Sequence, residues 1–159
     1  MFKIIGAAIV ILSATIFGMS RYNALFERKK TLFEILDGAR KIKSKLSCMQ
    51  MPLHESFMDC GAFFEKSATR IIDGSAPSEA INDVASELYS LKNEDIKIIE
   101  RFASGLCASS CEGQLSNLSF FTQEIEKNLA DADTQLSRKG TLYVKGSILA
   151  AAAVVLILI

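Results

Sequence analysis

The chain has 159 residues, half of them hydrophobic, with 18 basic residues, 18 acidic residues and one histidine. Its overall neutrality hides an asymmetry, because the net charge is +1 over residues 1–20, +5 over 21–45, −9 over 46–137 and +3 over 138–159. A nucleic-acid binder needs a sustained basic face and is excluded by the acidic middle, and the two uncharged ends argue against an ordinary soluble enzyme.

Ile4 to Met19 forms 16 uncharged residues between Lys3 and Arg21. With Met1, Phe2 and Ser20 the stretch approaches the roughly 20 residues that a bilayer-spanning helix needs. A cleaved signal peptide, with Gly18-Met19-Ser20 as its small-residue site, is the alternative. Arg21, Arg28, Lys29 and Lys30 follow at once and resist translocation, which favours a retained anchor over residues 1–20.

From Leu32 the apolar residues Leu32, Ile35, Ala39, Ile42, Leu46 and Met49 repeat at steps of three and four, which is one face of a helix growing out of the first span and ending before Pro52. A second helix is expected to start at Pro52 and to run through Leu53, Phe57, Cys60 and Phe64. Asp73-Gly-Ser-Ala-Pro77 is a turn. Two shorter helices follow, one carrying Ala80, Ile81, Val84 and Leu88, the other Ile96, Ile98, Ile99 and Phe102 and ending at Gly105. A last helix carries Leu115, Leu118, Ile125, Leu129, Ala132 and Leu136, and leads past Gly140 into a second apolar segment. No strand pattern occurs.

The final uncharged run, Gly146 to Ile159, is 14 residues and would rise only about 21 Å as a helix, short of a hydrocarbon core of about 30 Å. Leu142, Tyr143 and Val144 extend it, and Lys145 can carry its charge to the interface. Basic residues line the inner edge of both apolar ends, with Tyr22 and Tyr143 beside them. This predicts cytoplasmic residues between two membrane segments, with both termini outward. The expected organisation is a transmembrane anchor over 1–20, an all-α antiparallel cytoplasmic bundle over 21–140 and a short C-terminal membrane segment over 141–159.

The chemistry-bearing residues do not assemble into a catalytic pattern. Cys107 and Cys111 share a helix face, and with Cys48, Cys60 or His54 they form a conceivable zinc set. The spacing lacks a CxxC pair, however, and cysteine is a common core residue, so buried thiols are expected and no metal or cofactor. His54 has no evident orienting partner. The acid pairs Glu94-Asp95, Glu124/Glu126 and Asp131/Asp133 read as solvated helix faces, the first at a helix N-terminus. No phosphate loop, GxSxG or HExxH is present, so no enzyme is expected.

The N-terminal span, the Leu/Ile-spaced helix after Arg28, the segment Pro52-Leu53-His54-Glu55, the stretch Phe102 to Gln114 with Leu106 and Gln114 in place, and the entry Lys139, Tyr143, Gly146 into a short C-terminal span occur in one order and spacing. In this the chain resembles the stage III sporulation protein AB family, whose cytoplasmic domain is similar to the inner-membrane platform proteins of type II secretion and type IV pilus machines. It departs from the family at Lys45, where a glutamate is usual, at Ala103 and Cys107, where glycines are usual, and at Ser110, where an aspartate is usual. The resemblance implies a non-enzymatic component of the secretion-like channel complex between mother cell and forespore, in the mother-cell membrane. The implied partners are other membrane components of that apparatus and a cytoplasmic secretion-type ATPase. A platform subunit of another such machine, or a small membrane-bound thiol or metal sensor, are the rival readings.

Two surfaces are expected to carry the function. Arg21, Arg28, Lys29, Lys30, Arg138, Lys139 and Lys145 should form a basic collar against an anionic membrane. Pro52, Leu53, His54, Glu55 and Gln114 should form a partner site at the other end, some 40 Å from the bilayer after a first helix of about 30 residues.

Overall fold

The computed structural model describes residues 2–49, 53–106 and 111–158, and these are almost entirely helical with no strand among them. The order is α1 (Phe2–Met49), α2 (Leu53–Phe57), α3 (Ala62–Ile72), α4 (Pro77–Ser86), α5 (Asn93–Leu106), α6 (Cys111–Gln135), a π-helical turn (Leu136–Gly140) and α7 (Thr141–Leu158). They form two compact units, one from residues 1–29 and 131–159, the other from residues 30–130.

In the second unit the three-four row of α1 is the core row. Leu32, Ile35, Ala39, Ile42 and Leu46 are all buried, as expected from the spacing, and Leu36 is buried beside them; the side chain of Met49 lies outside the described residues. The short helices pack in succession, α2 on α3, α3 on α4 and α4 on α5. Their amphipathic faces supply Phe57, Phe64, Ile81, Val84, Ile99 and Phe102 to the same core. Gly38 lets this layer approach α1 closely. A Cβ there would stand 2.1 Å from the Cys60 carbonyl oxygen and 2.6 Å from the Phe64 ring.

The expected continuous helix from Leu53 through Phe64 is two helices. Asp59 and Gly61 adopt positive φ, 59° and 100°, and break the row between Phe57 and Ala62. The apolar spacing persists across the break because Phe57, Cys60 and Phe64 all still face the core. Lys45 of α1 donates to the carbonyl of Met58 and so satisfies an acceptor freed at the end of α2. The turn at 73–77 forms as expected. Gly74 takes φ 103°, the Ser75 N–H donates to the Arg70 carbonyl and the Gly74 N–H to that of Ile71, a Schellman arrangement. Pro77 then begins α4, where its missing N–H costs nothing.

The described part of α5 runs to Leu106, one residue past the expected end at Gly105. The Asn117 side chain lies against Gly105, and the Asn117 amide donates to the Phe102 carbonyl at 2.9 Å, tying α5 to α6. Asp95 is a departure, for it is wholly buried rather than solvated. One carboxylate oxygen accepts from the Lys92 N–H at 3.0 Å, in the manner of a capping-box acid. The other accepts from the Asn128 amide of α6 at 2.7 Å.

In the first unit, the N-terminal part of α1 lies antiparallel to α7. Gly18 abuts Ser147 and Tyr143, Tyr22 abuts Gly140, and Arg28 meets Asp131, so the partner's number falls as that of α1 rises. Two helices, one towards each end of the chain, are long and apolar enough to cross a membrane.

Candidate functional site

The apolar part of α1 carries Ser13 and Thr15, and neither leaves its hydroxyl unsatisfied. Ser13 donates to the carbonyls of Ile9 and Val10 at 2.9 and 3.0 Å, and Thr15 to that of Ile11 at 2.8 Å. Such bonding within the helix is what a hydrocarbon environment requires. On α7, Ser147 donates likewise to Val144 at 3.0 Å. An open apolar groove of about 610 Å³ runs between the two helices, walled by Val10, Ala14, Phe17, Leu142, Ala150 and Val154 among others. Close approach depends on Gly18, because a Cβ there would stand 2.3 Å from the Ser147 hydroxyl and 2.9 Å from the Tyr143 carbonyl oxygen. Small residues serve this purpose between membrane helices, where apolar burial by itself provides no drive to associate.

The basic residues expected to form a collar divide into two groups. Arg21, Arg138, Lys139 and Lys145 are exposed in the first unit, and Lys30 is exposed in the second. The Arg21 guanidinium stands over the Phe17 ring, 5.4 Å from its centroid. Arg28, by contrast, is 2% exposed and faces Asp131 at 3.4 Å, while Gln135 donates to the same carboxylate at 2.7 Å. It therefore presents no charge to a membrane surface. The cause is periodicity, since Arg28 stands four residues before Leu32 and seven before Ile35, on the buried row itself. Lys29 is half-buried and pairs with Asp133 at 2.7 Å. The signal that would have found this pairing was present as Asp131 and Asp133, two acids late in a helix antiparallel to the one that carries Arg28 and Lys29.

At the expected partner site, Pro52 lies outside the described residues, as do the side chains of Leu53 and His54. Leu53, His54 and Glu55 open α2, with Glu55 exposed in its first turn. Gln114 is half-buried in the first turn of α6. Cys107 and Ser110 lie outside the described residues. Sequence reasoning missed a cleft of about 210 Å³ between α5 and α6, lined by Ile98, Arg101, Phe102, Asn117, Phe120, Phe121 and Glu124. The adjacent phenylalanines were its trace. Phe121 stacks on Phe102 with centroids 4.2 Å apart, so the neighbouring Phe120 is turned outward.

Cys60 is buried and donates to the Ser56 carbonyl at 3.1 Å. Burial raises its thiol pKa, against the opposing pull of the nearby Lys45 and Lys41 ammonium groups. A protonated, enclosed thiol is a poor nucleophile and a poor metal ligand. Among the described residues no group of three histidine, cysteine or carboxylate side chains gathers as a metal site.

A solved structure titled stage III sporulation protein AB (SpoIIIAB) has the same fold, with a TM-score of 0.59 and 13% identity, covering 69% of this chain and 96% of that one. No curated protein matches the chain in sequence. A family model described as stage III sporulation protein AB matches residues 3–159, which is nearly every residue, and the chain belongs to that family.

Proposed function

We propose that the chain is a non-catalytic, membrane-anchored assembly component of the secretion-like channel complex between mother cell and forespore. Residues 1–20 and 141–159 lie in the mother-cell membrane, residues 21–140 lie in the cytoplasm, and both termini face outward. The observation that carries this reading is the antiparallel pair of apolar helices in a member of the sporulation family. An antiparallel pair enters and leaves the membrane on one side, and Arg21, Arg138, Lys139 and Lys145 stand exposed at that edge, where positive charge marks the cytoplasmic face. Other membrane components of the apparatus and a secretion-type ATPase are the partners, and the first turns of α2 and α6, with Glu55 and Gln114, are the contact surface.

Reporter fusions test the topology. Fusions at residues 60 and 115 are expected to behave as cytoplasmic and a fusion at the N-terminus as external. A cytoplasmic N-terminus, or cleavage at Ser20, would sink the model. Charge changes at His54 and Glu55 test the contact surface, with the expectation that complex assembly is lost while the melting temperature of the isolated protein is unchanged. A thiol sensor is the competing reading. Replacing all four cysteines by alanine abolishes the function of a sensor and leaves a scaffold working.

A further inference from the structure

The groove between the N-terminal part of α1 and α7 is apolar along its length and basic at one end. Ser13 and Ser147 line it, but both hydroxyls donate to carbonyls of their own helices, so neither proton is available to an occupant. The α1 wall of Val10, Ala14 and Phe17 is continued by Arg21, which at 100° per residue lies within about 40° of all three. The Phe17 ring holds the Arg21 guanidinium at the mouth of the groove, 5.4 Å from the ring centroid. On the other helix, Lys139 comes about one turn before the wall residue Tyr143. Gly140 abuts Tyr22, which sets Lys139 at the height of Arg21.

Both cations are exposed, and the acids of this unit lie elsewhere. Asp131 and Asp133 pair with Arg28 and Lys29, and Glu27 stands six residues beyond Arg21, about 9 Å farther along the axis. Lys145 provides an internal contrast. It too is exposed, but it lies about 140–180° around α7 from Tyr143, Ser147, Ala150 and Val154, on the side away from the groove.

We infer that the groove is a binding site for one anionic phospholipid of the cytoplasmic leaflet, with acyl chain laid along the walls and phosphate held between Arg21 and Lys139. The inference deepens the membrane-anchored reading and rests on it, because that reading puts the basic end of the groove at the headgroup level. Charge complementarity chooses the occupant. An apolar helix of a partner would cover the walls and leave two cations at its edge without counter-charge. A free phosphate would pair with the cations and leave the walls bare. An anionic phospholipid carries both parts in one molecule, and basic pockets between membrane helices on the cytoplasmic side take anionic headgroups for this reason. The guanidinium fork bonds two phosphate oxygens at once, and the lysine adds a point charge.

The test reconstitutes the full chain in phosphatidylcholine bilayers with a trace of spin-labelled phosphatidylglycerol or spin-labelled phosphatidylcholine. Electron paramagnetic resonance then reads the motionally restricted fraction of each. Phosphatidylglycerol should be selected over phosphatidylcholine by about fivefold or more. Arg21→Gln with Lys139→Gln should abolish that selection, while Lys145→Gln should leave it. Ala150→Phe keeps every cation and fills the groove at an exposed wall position, so it too should abolish the selection, with the melting temperature unchanged. Selection that survives Ala150→Phe means that the cations act on the membrane surface alone and overturns the site. Equal retention of the two lipids overturns it as well, as does an equal loss caused by Lys145→Gln. In a chain that resists carbonate extraction, each of these results leaves the membrane anchor standing. A chain that carbonate extracts overturns the membrane reading, and this inference with it.

Discussion

Asp95 shows how much one buried carboxylate organises. Its two oxygens take the Lys92 N–H and the Asn128 amide, so that the start of α5 is capped and fastened to α6 by a single side chain. Asp95→Ala removes the acceptor of both bonds and should cost about 1–3 kcal/mol in chemical denaturation. Asp95→Asn should cost less, because its amide oxygen still accepts one of the two bonds. Cys60 gives a residue-scale prediction in pH. Its folded pKa is raised by burial, so its contribution to stability is present below the ordinary thiol value and is lost as the pH climbs through the raised one. Stability should therefore fall on the alkaline side, and Cys60→Ala should flatten that limb. Denaturant midpoints at pH 7 and at stepwise higher pH give the comparison.

Among the elements, α1 does two different jobs along one axis. Its N-terminal part needs small residues for α7, while beyond Arg28 it needs a row of large ones for the core. Gly18→Val should weaken the hairpin of α1 and α7 by about 1–3 kcal/mol, read as a lower melting temperature in detergent, because the Tyr143 carbonyl oxygen in its way is backbone. The π-helical turn Leu136–Gly140 separates the amphipathic α6 from the apolar α7 and brings Gly140 against the Tyr22 ring. A π turn is a local change of helical register, and here it coincides with the change from a half-buried pattern to a predominantly apolar one.

At the scale of the molecule, the exposed and buried cations should separate experimentally. Neutralising Arg138, Lys139 and Lys145 to glutamine removes exposed charges, each worth about 1 kcal/mol beside an anionic leaflet. The fraction of chains with correct topology in a reporter assay should fall while the folded domain melts normally. Arg28→Gln should do the reverse, keeping topology but lowering stability by about 1–2 kcal/mol, since Arg28 is enclosed and its partner Asp131 is half-exposed. Equal effects of the two changes on topology would contradict the division.

The sequence by itself determined the helical class, the two apolar ends, the core row of α1, the turn at Gly74 and Pro77 and the family, because each is written in local spacing or in the order of short segments. Periodicity of three and four reports which face is buried whatever the partner. The break at Asp59 and Gly61 was hidden for the same reason, since Phe57, Cys60 and Phe64 keep helical spacing on both sides of it. What only the tertiary structure decided is where charge is buried. An arginine or aspartate reads as solvated until a partner arrives to satisfy it. Arg28 finds Asp131 103 residues away and Asp95 finds Asn128 33 residues away, and no local pattern carries those pairings. They exist because α1 and α5 each lie beside a helix far along the chain, and burying a charge costs too much without that company.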